Sequence, residues 1–285
     1  MFAQVDTRVP TEVEAHVLSI YRSLFPNGDP AVVARAFEWA GRCFTGRFAD
    51  YQAIDARYHD FEHTLQGTLC LARLLHGRHQ ACVKPMMTQH EFELALLAIL
   101  FHDTGYLKKR DDIEGTGAKY TLTHVARSAD FAREFLGTKG CPAEDIEAVR
   151  NMISCTGVNA NLQAIPFQSE LERTLGFALA TADILGQMSA PDYVDKLPFL
   201  HQEFLEAARH DGRKAARLAA YRSPEELIRN TPSFWESYVL PKINGDFGSL
   251  YRFLTVPYPD GPNQYLQRVQ QNIDRIQHQF PPVGA

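Results

Sequence analysis

An uninterrupted apolar run, Leu94–Phe101, leads directly into the charged pair His102-Asp103. A segment that is apolar on all sides is typical of a helix buried at the centre of a fold. An imidazole and a carboxylate at the end of such a helix are costly to bury unless both find partners. A divalent cation is one such partner, because it binds neutral imidazole and ionised carboxylate together. The run therefore predicts a central helix that presents a polar pair to a site.

The rest of the chain follows helical rather than strand periodicity. Apolar residues recur three or four positions apart through most of the sequence, and no alternating segment of useful length occurs. Breaker residues such as those at 25–28 and 140–142 separate these segments. We predict helices over residues 13–24, 31–44, 61–75, 91–102, 121–136, 143–154, 170–188, 191–209 and 263–280.

The predicted fold is all-α, as a single domain with a helical C-terminal extension. We expect residues 1–50 to form N-terminal helices that pack on the core, residues 51–190 to form the core, and residues 191–285 to form the extension. Residues 106–119 are polar and contain glycines, so we expect a loop near the site. The long helical tail at 264–280 can support a homodimer.

Composition narrows the classes of function. The 285 residues are 45% hydrophobic and carry a net charge of −5, which suits a globular protein and disfavours binding to nucleic acid. The five cysteines are dispersed without a C-x-x-C pair, which favours a reducing compartment. The longest apolar run is too short to span a bilayer, and the N-terminus lacks a secretory pattern. We therefore expect a cytoplasmic protein with no membrane partner.

Two further features carry chemistry. His59 and His63 are one helical turn apart in Tyr-His-Asp-Phe-Glu-His, a spacing that puts both rings on one face of a helix. Many helices carry two histidines in this way, so the pair is weak evidence when taken alone. Asp183 lies inside an apolar segment, where an unpaired carboxylate would destabilise the fold by several kcal/mol. We therefore interpret Asp183 as a ligand.

Each of these signals also has a structural explanation. His102-Asp103 can cap the C-terminus of its helix, where a histidine interacts favourably with the helix dipole. His124 lies in Thr-His-Val-Ala-Arg, which can simply begin a helix. Another His-Asp pair, His210-Asp211, lies among cationic residues, and we expect it to be solvated surface. His210-Asp211 is therefore an internal control, since it is a His-Asp pair for which we expect no role in a site.

Taken together, the order and spacing of these residues resemble the HD-domain phosphohydrolase superfamily. The segment 58–64 is similar to the Tyr-His-Asn-x-x-His-Ala signature of its cyclic-nucleotide phosphodiesterase branch. The segment 153–156 is similar to an Ile-x-x-Thr of the same branch. The resemblance covers residues 55–190 and implies an HD-domain-like helical bundle with a metal-binding core.

The resemblance also implies which residues form the site. The implied metal ligands are His63, His102, Asp103 and Asp183. The implied catalytic residues are His59, as the general acid that protonates the leaving oxygen, and Asp103. His124 and Arg127 are candidates for contacts to substrate phosphate or to a second metal, and Asp60 or Glu62 would orient an imidazole ring.

Three positions depart from the phosphodiesterase pattern. Asp60 replaces an asparagine, and Tyr106 follows His-Asp-Thr-Gly in place of a His-Pro-Gly run. Residues 152–156 read Met-Ile-Ser-Cys-Thr, without the histidine that binuclear members usually supply there. We therefore expect one strong divalent-cation site for Mg, Mn, Fe, Zn or Ni, with Asp103 able to bridge a second, weak one.

The resemblance implies a metal-dependent phosphohydrolase or phosphodiesterase that acts on a small phosphorylated substrate such as a nucleotide. Metal-activated water would attack phosphorus, and the imidazole of His59, which titrates near neutral pH, would protonate the leaving group. Two alternatives stay open at this point. One is an HD-type di-iron oxygenase, which needs a richer set of histidines, and the other is a catalytically silent HD signalling module.

Overall fold

The structure is a computed structural model that describes residues 2–158, 160–212 and 220–281. It is 67% helical, and the described residues form no strand, so the predicted all-α class is confirmed. The helices in chain order are α1 (Pro10–Leu24), α2 (Ala31–Phe44), α3 (Phe61–Gln80), α4 (Gln89–Phe101), α5 (His124–Thr138), α6 (Ala143–Ile153), α7 (Glu170–Met188), α8 (Tyr193–Asp211), α9 (Pro224–Phe234) and α10 (Gln264–Gln279).

Helical periodicity located most of these elements. α2 and α7 have the predicted bounds, and most of the others differ by a few residues at their ends. α3 runs five residues further than the 61–75 predicted, because Gly77 packs against the backbone of Phe253 and the Arg78 guanidinium donates to the carbonyl of Pro85 (2.9 Å). α9 was not predicted as a helix, since its apolar residues are few.

α4 lies at the centre of the bundle, as its apolar composition predicted. Its side chains from Phe92 to Phe101 are largely buried, and Ile99, Leu100 and Phe101 have no exposed surface. The run that ends in His102-Asp103 therefore forms part of the buried core.

Among the described residues, no helix is long and apolar enough to cross a membrane.

The predicted loop at 106–119 is tied down along its length. It includes the one-turn 3-10 helix Gly117–Tyr120, and its backbone bonds the segment before α3, through Lys108 O to Gln52 N (2.9 Å) and Arg110 N to Asp50 O (2.7 Å). Lys108 is buried and pairs with Asp55 (3.1 Å). The loop is therefore fixed to the segment before α3 and, through Thr116 and Glu206, to α8.

Side-chain caps fix where the polar residues fall on α3 and α7. The Asp60 carboxylate accepts from the backbone N–H of His63 (2.8 Å) and so begins α3 directly before the residues that carry the site. The Ser169 hydroxyl accepts from Glu172 N (3.0 Å) and begins α7. With both starts fixed, the helical repeat determines which residues of α3 and α7 face each other.

α3 and α7 cross with their backbones in close approach. A Cβ atom at Gly186 would lie 2.8 Å from backbone atoms of Gln66 and Gly67, closer than real Cβ atoms come. A Cβ atom at Gly67 would lie 3.6 Å from the Cα atom of Asp183. The crossing therefore needs glycine at 186, and it brings Asp183 beside the turn of α3 that carries His63.

We expect Gly186→Ala to lower the free energy of unfolding by about 1–3 kcal/mol, because the added methyl group forces two packed backbones apart. Gly137 on α5 is the matched control, since a Cβ atom there would meet nothing within 4 Å. Gly137→Ala should leave stability unchanged or raise it by up to about 1 kcal/mol, as helix propensity favours alanine. Urea unfolding of both variants measures the difference, and equal stability would refute the close-approach argument.

Candidate metal centre

The four predicted metal ligands come together, although they lie on three helices. His63 on α3 places its Nε2 atom 3.2 Å from Asp103 Oδ2 and 3.2 Å from Asp183 Oδ1. His102, which follows α4, places its Nε2 atom 3.3 Å and 3.4 Å from the same two oxygens. Two nitrogens and two oxygens thus alternate around a closed ring. We call these four residues the His-Asp cluster.

The cluster contains polar atoms that lack partners. His63, His102 and Asp103 are all at most 3% exposed, and neither His102 Nε2 nor Asp103 Oδ2 has a hydrogen-bond partner among the described residues. His102 Nδ1 lies 2.7 Å from the carbonyl of Ile99, which can only accept, so Nδ1 carries the proton. In the neutral ring, the Nε2 lone pair then faces carboxylate oxygens, which is unfavourable unless a positive charge lies between them.

The same bond resolves the two explanations of His102 that the sequence left open. Its Nδ1 atom does satisfy a carbonyl at the end of α4, as a helix cap would. Its Nε2 atom remains free for the cluster. A hydrogen bond on one ring nitrogen is also what fixes the orientation and tautomer of a histidine that binds metal through the other. The same ring can therefore cap α4 through Nδ1 and still present Nε2 to the cluster.

The spacing of the cluster fits a divalent cation. Ligand atoms that share one cation at about 2.0–2.2 Å lie about 2.9–3.5 Å from their neighbours. The ligand atoms of His63, His102 and Asp103 lie within 4.8 Å of one another, so these buried residues can hold a metal ion. Asp183 Oδ1 falls outside this group of three but lies next to both nitrogens. Imidazole and carboxylate donors suit several divalent ions.

Electrostatics keep the carboxylates ionised. Burial alone would raise the pKa of Asp103 and of Asp183, but the neighbouring His102 and His63 hold both values below the ordinary range. Burial lowers the pKa of His63, yet the two carboxylates outweigh it and raise this pKa to about 10. The pKa of His102 is raised for the same reason. At neutral pH both carboxylates are therefore ionised, and without a cation the proton held by His63 balances part of their charge.

His59 lies beside the cluster and is held by a carboxylate from α8. Its Nδ1 atom is 2.6 Å from Oε2 of Glu203, and its ring centroid is 5.3 Å from that of His63. Glu203 is buried, and its other oxygen accepts from the backbone N–H of Tyr58 (2.7 Å). The carboxylate is thus fixed in turn, and the imidazole is left with only its Nε2 atom free for chemistry.

Tyr106 stacks on two histidines at the same site, and the rings of these histidines also lie 5.9 Å from each other. Its ring lies 4.6 Å from that of His59 and 4.8 Å from that of His124, with interplanar angles of 19° and 18°. The turn that carries Tyr106 is possible because Gly105 packs on the backbone of His124, where a Cβ atom would overlap the carbonyl oxygen. The stack therefore fixes the distance between the two histidines.

His124 borders the cluster without belonging to its ring. Its Nε2 atom is 3.8 Å from Asp103 Oδ1, while its Nδ1 atom bonds the carbonyl of Thr121 (2.6 Å). Burial lowers the pKa of His124, which favours a neutral ring with an Nε2 lone pair directed toward Asp103. This placement matches the residue expected at a second, weaker metal or at substrate phosphate, and that role stays a prediction.

Arg127 makes contacts different from the phosphate clamp that we expected. Its Nε atom donates to the carbonyl of Gly105 (2.7 Å), its Nη2 atom donates to the carbonyl of Leu107 (2.7 Å), and its guanidinium covers the ring of Tyr120 at 3.5 Å. The side chain fastens the turn that follows Asp103. Arg127 therefore supports the site from behind.

Asp60 and Glu62 also differ from the expectation that one of them orients an imidazole. Asp60 caps α3 and lies 3.3 Å from the ammonium of Lys196, and Glu62 lies 2.8 Å from the same ammonium. The cap position folds the Asp60 side chain over the first turn of the helix. Glu62 points about 100° around the helix from His63. The ring-orienting carboxylate is Glu203 instead.

Sequence reasoning missed Glu203 and Tyr106 as site residues. Nothing in Gln202-Glu203-Phe204 distinguishes this glutamate from a surface residue of α8. Tyr106 had a usable signal, since it directly follows His-Asp-Thr-Gly. The control pair behaves as expected, because His210 is exposed on α8.

The fold and the cluster together define an all-α protein with a buried His/Asp arrangement that can hold a metal. A family model described as Npun_R2479-like matches residues 110–279, more than half of the chain, so the chain belongs to the Npun_R2479-like family. The matched segment contains Asp183 and Glu203, whereas His63 and His102-Asp103 precede it. No curated protein matches the chain.

Removing any bound cation should leave the proton of His63 to balance the carboxylates. The folded-state pKa of about 10 lies above the ordinary value of 6.5, so this proton stabilises the fold fully below pH 6.5 and is lost as pH rises through 10. With chelator present, we expect the free energy of unfolding to fall by more than about 1 kcal/mol over this range. Urea titrations measure it. In His63→Gln the free energy of unfolding should fall less over the same pH range. An equal pH dependence in wild type and variant would show that the titrating group is not His63.

Proposed function

We propose that the chain is an HD-type, metal-dependent phosphohydrolase or phosphodiesterase that acts on a small phosphorylated substrate such as a nucleotide. The observation that carries the proposal is the ring of two imidazole nitrogens and two carboxylate oxygens at 3.2–3.4 Å, with buried atoms that lack partners. The order of the four residues along the chain, and a histidine beside them with its own carboxylate, add support.

The His-Asp cluster would hold one divalent ion, for which Mg, Mn, Fe, Zn and Ni are candidates. When bound, such an ion neutralises charge on phosphate oxygens and lowers the pKa of water. The chain contributes the position of the four donors, the burial that excludes bulk water from their inner side, and the hydrogen bond that fixes the His102 ring.

His59 supplies the proton that hydrolysis of a phosphate ester requires. Its Nδ1–H is engaged by Glu203, so a proton for the leaving oxygen is carried on Nε2. Glu203 fixes the orientation of the ring and the proton on Nδ1, as the carboxylate of a His-carboxylate pair does in known hydrolases. Stacking on Tyr106 prevents the ring from turning away from the cluster.

The candidate metal centre is open to solvent on the side of Asp183, His59 and His124. The side chains of Asp183, His59 and His124 are 13%, 14% and 20% exposed, whereas those of His63 and His102 are at most 4% exposed. A phosphate group would therefore approach from the side on which Asp183, His59 and His124 are exposed. From that direction it meets the cluster and the general acid together.

The site residues favour hydrolysis over the two alternatives. A di-iron oxygenase needs more imidazole donors than the two in the ring and the one at 3.8 Å from Asp103. A silent signalling module has no use for an imidazole held by a buried carboxylate next to a metal site. The His59–Glu203 pair therefore supports an enzyme with acid catalysis.

We expect Asp183→Ala to lose both bound metal and turnover, because it removes one donor from the ring. His59→Ala should keep its metal and lose about 100-fold or more in kcat, since it removes only the proton donor. Metal analysis, with assays on aryl phosphates and phosphodiesters, measures both effects. His210→Ala on the surface of α8 is the matched control and should resemble wild type. Wild-type metal content and activity in Asp183→Ala would refute the proposal.

Glu203→Gln tests the acid separately from the metal. The amide keeps the shape but is a weaker acceptor for the Nδ1–H of His59 and holds the ring less firmly, so we expect kcat to fall at least about tenfold while metal content stays unchanged. Glu206→Gln, one turn further along α8 and bonded to Thr116 instead (2.7 Å), is the comparison that should retain turnover. Equal kcat values for the two variants would show that Glu203 does not act through His59.

A further inference from the structure

We propose that Gln187 positions the carboxylate of Asp183 for metal binding and that Tyr58 in turn fixes the amide of Gln187. Both roles rest on the metal centre of the proposed function, and both residues lie outside the His-Asp cluster. Tyr58 precedes α3, whereas Gln187 lies on α7. A hydrogen bond of 2.6 Å from the Tyr58 hydroxyl to Gln187 Oε1 joins them.

Asp183 is the member of the His-Asp cluster that packing constrains least. Its side chain is 13% exposed, whereas those of the other three are at most 4% exposed. Its oxygen also falls outside the group of ligand atoms, from His63, His102 and Asp103, that lie within 4.8 Å of one another. The direction of the Asp183 carboxylate therefore depends more on hydrogen bonds than on burial.

Gln187 supplies such a hydrogen bond from the same helix. It lies four residues after Asp183 on α7, a spacing that puts both side chains on one face. Its Nε2 atom is 3.4 Å from Asp183 Oδ1 and 3.3 Å from the backbone carbonyl oxygen of Asp183. Oδ1 is also the atom that faces the imidazole nitrogens of His63 and His102. The amide therefore contacts the oxygen that would bind the metal.

The amide of Gln187 has one orientation that satisfies its neighbours. Carboxylate and carbonyl oxygens only accept hydrogen bonds, so the NH₂ group of the amide must face Asp183. The amide oxygen then faces the hydroxyl of Tyr58, which donates to it. Without this hydroxyl, the amide would be free to turn and direct its oxygen toward the carboxylate.

Tyr58 is itself held by the segment that carries the general acid. It is 3% exposed, and its backbone N–H donates to Oε1 of Glu203 (2.7 Å). Its ring centroid lies 5.1 Å from that of His59 and 5.9 Å from that of His63. Burial, the backbone bond and the two ring contacts therefore fix where the hydroxyl lies.

A neutral amide suits this task better than a cationic side chain would. A cation beside Asp183 would neutralise the carboxylate and compete with a metal for it. An amide orients the carboxylate and leaves its negative charge available to the metal. Lys196 lines a small cavity together with Gln187, but its ammonium is bound to Asp60 and Glu62 instead.

The test measures the affinity of the full-length, chelator-treated protein for Co²⁺ by competition with nitrilotriacetate. Gln187→Met keeps the length of the side chain and removes the amide, so we expect the Kd for Co²⁺ to rise about 10- to 100-fold. The visible absorption bands of bound Co²⁺ should change as well, since the Asp183 carboxylate takes a different direction. Tyr58→Phe removes only the hydroxyl, and the Kd should rise about 3- to 10-fold.

The double variant Tyr58→Phe/Gln187→Met distinguishes positioning from general damage to the fold. Because Tyr58 acts through the amide, the double variant should bind Co²⁺ as weakly as Gln187→Met and no more weakly. Losses that add would show that Tyr58 does not act through Gln187. Tyr251→Phe is the matched control, since its hydroxyl also bonds an amide oxygen, that of Asn244 (2.5 Å), and it should bind Co²⁺ like wild type.

The outcomes separate this proposal from the metal centre on which it rests. Wild-type affinity in Gln187→Met would overturn the positioning role and leave the metal centre intact. Failure of the wild type to bind Co²⁺ would refute the metal centre and, with it, both roles. If circular dichroism shows that Gln187→Met does not fold, Tyr58→Phe decides, and unchanged affinity in that variant would refute the proposal.

Discussion

The contact between α3 and α7 is the constraint on which the rest of the structure depends. Gly186 lets the backbones meet, and the register of that contact sets Asp183 opposite His63. The two helices start at side-chain caps, so neither can slide along its axis without losing a satisfied N–H group. α4 ends at the same place, and His102-Asp103 follow it directly. The site is therefore assembled by backbone geometry, and its side chains need little freedom to find one another.

The concentration of charge in the core explains why this geometry suits a cation. Asp103 is 1% exposed, and the carboxylate oxygens face imidazole nitrogens instead of water or peptide N–H groups. A proton on His63 satisfies one part of this demand, as its raised pKa indicates, but Asp103 Oδ2 and His102 Nε2 still have no hydrogen bond. A divalent ion would satisfy all four donors at once. The interactions that favour folding and those that favour metal binding are therefore the same.

The sequence predicted the all-α fold and most helices, because burial of an apolar stripe depends on a local repeat that can be read from single segments. The convergence of His63, His102, Asp103 and Asp183 followed from their resemblance to a known order of residues. Glu203 could not be predicted, since its contact with His59 joins residues far apart in the chain and depends on how α8 returns to the site. The contacts of Arg127 with the carbonyls of Gly105 and Leu107 could not be predicted either, since they depend on how the turn after Asp103 folds against α5, and its role as a phosphate clamp stays a prediction.

α3 carries the cluster on one face and a different set of contacts on the adjacent face. On the first face, His63 meets the carboxylates of Asp103 and Asp183. On the adjacent face, Arg73 donates to the carbonyl of Ala3 and to the hydroxyl of Tyr265, which ties the N-terminal segment and α10 to the same helix. Lys196 binds both Asp60 and Glu62 and so fastens the start of α3 to α8. Because one helix makes all of these contacts, the packing of the N-terminal segment, α8 and α10 also determines where His63 lies.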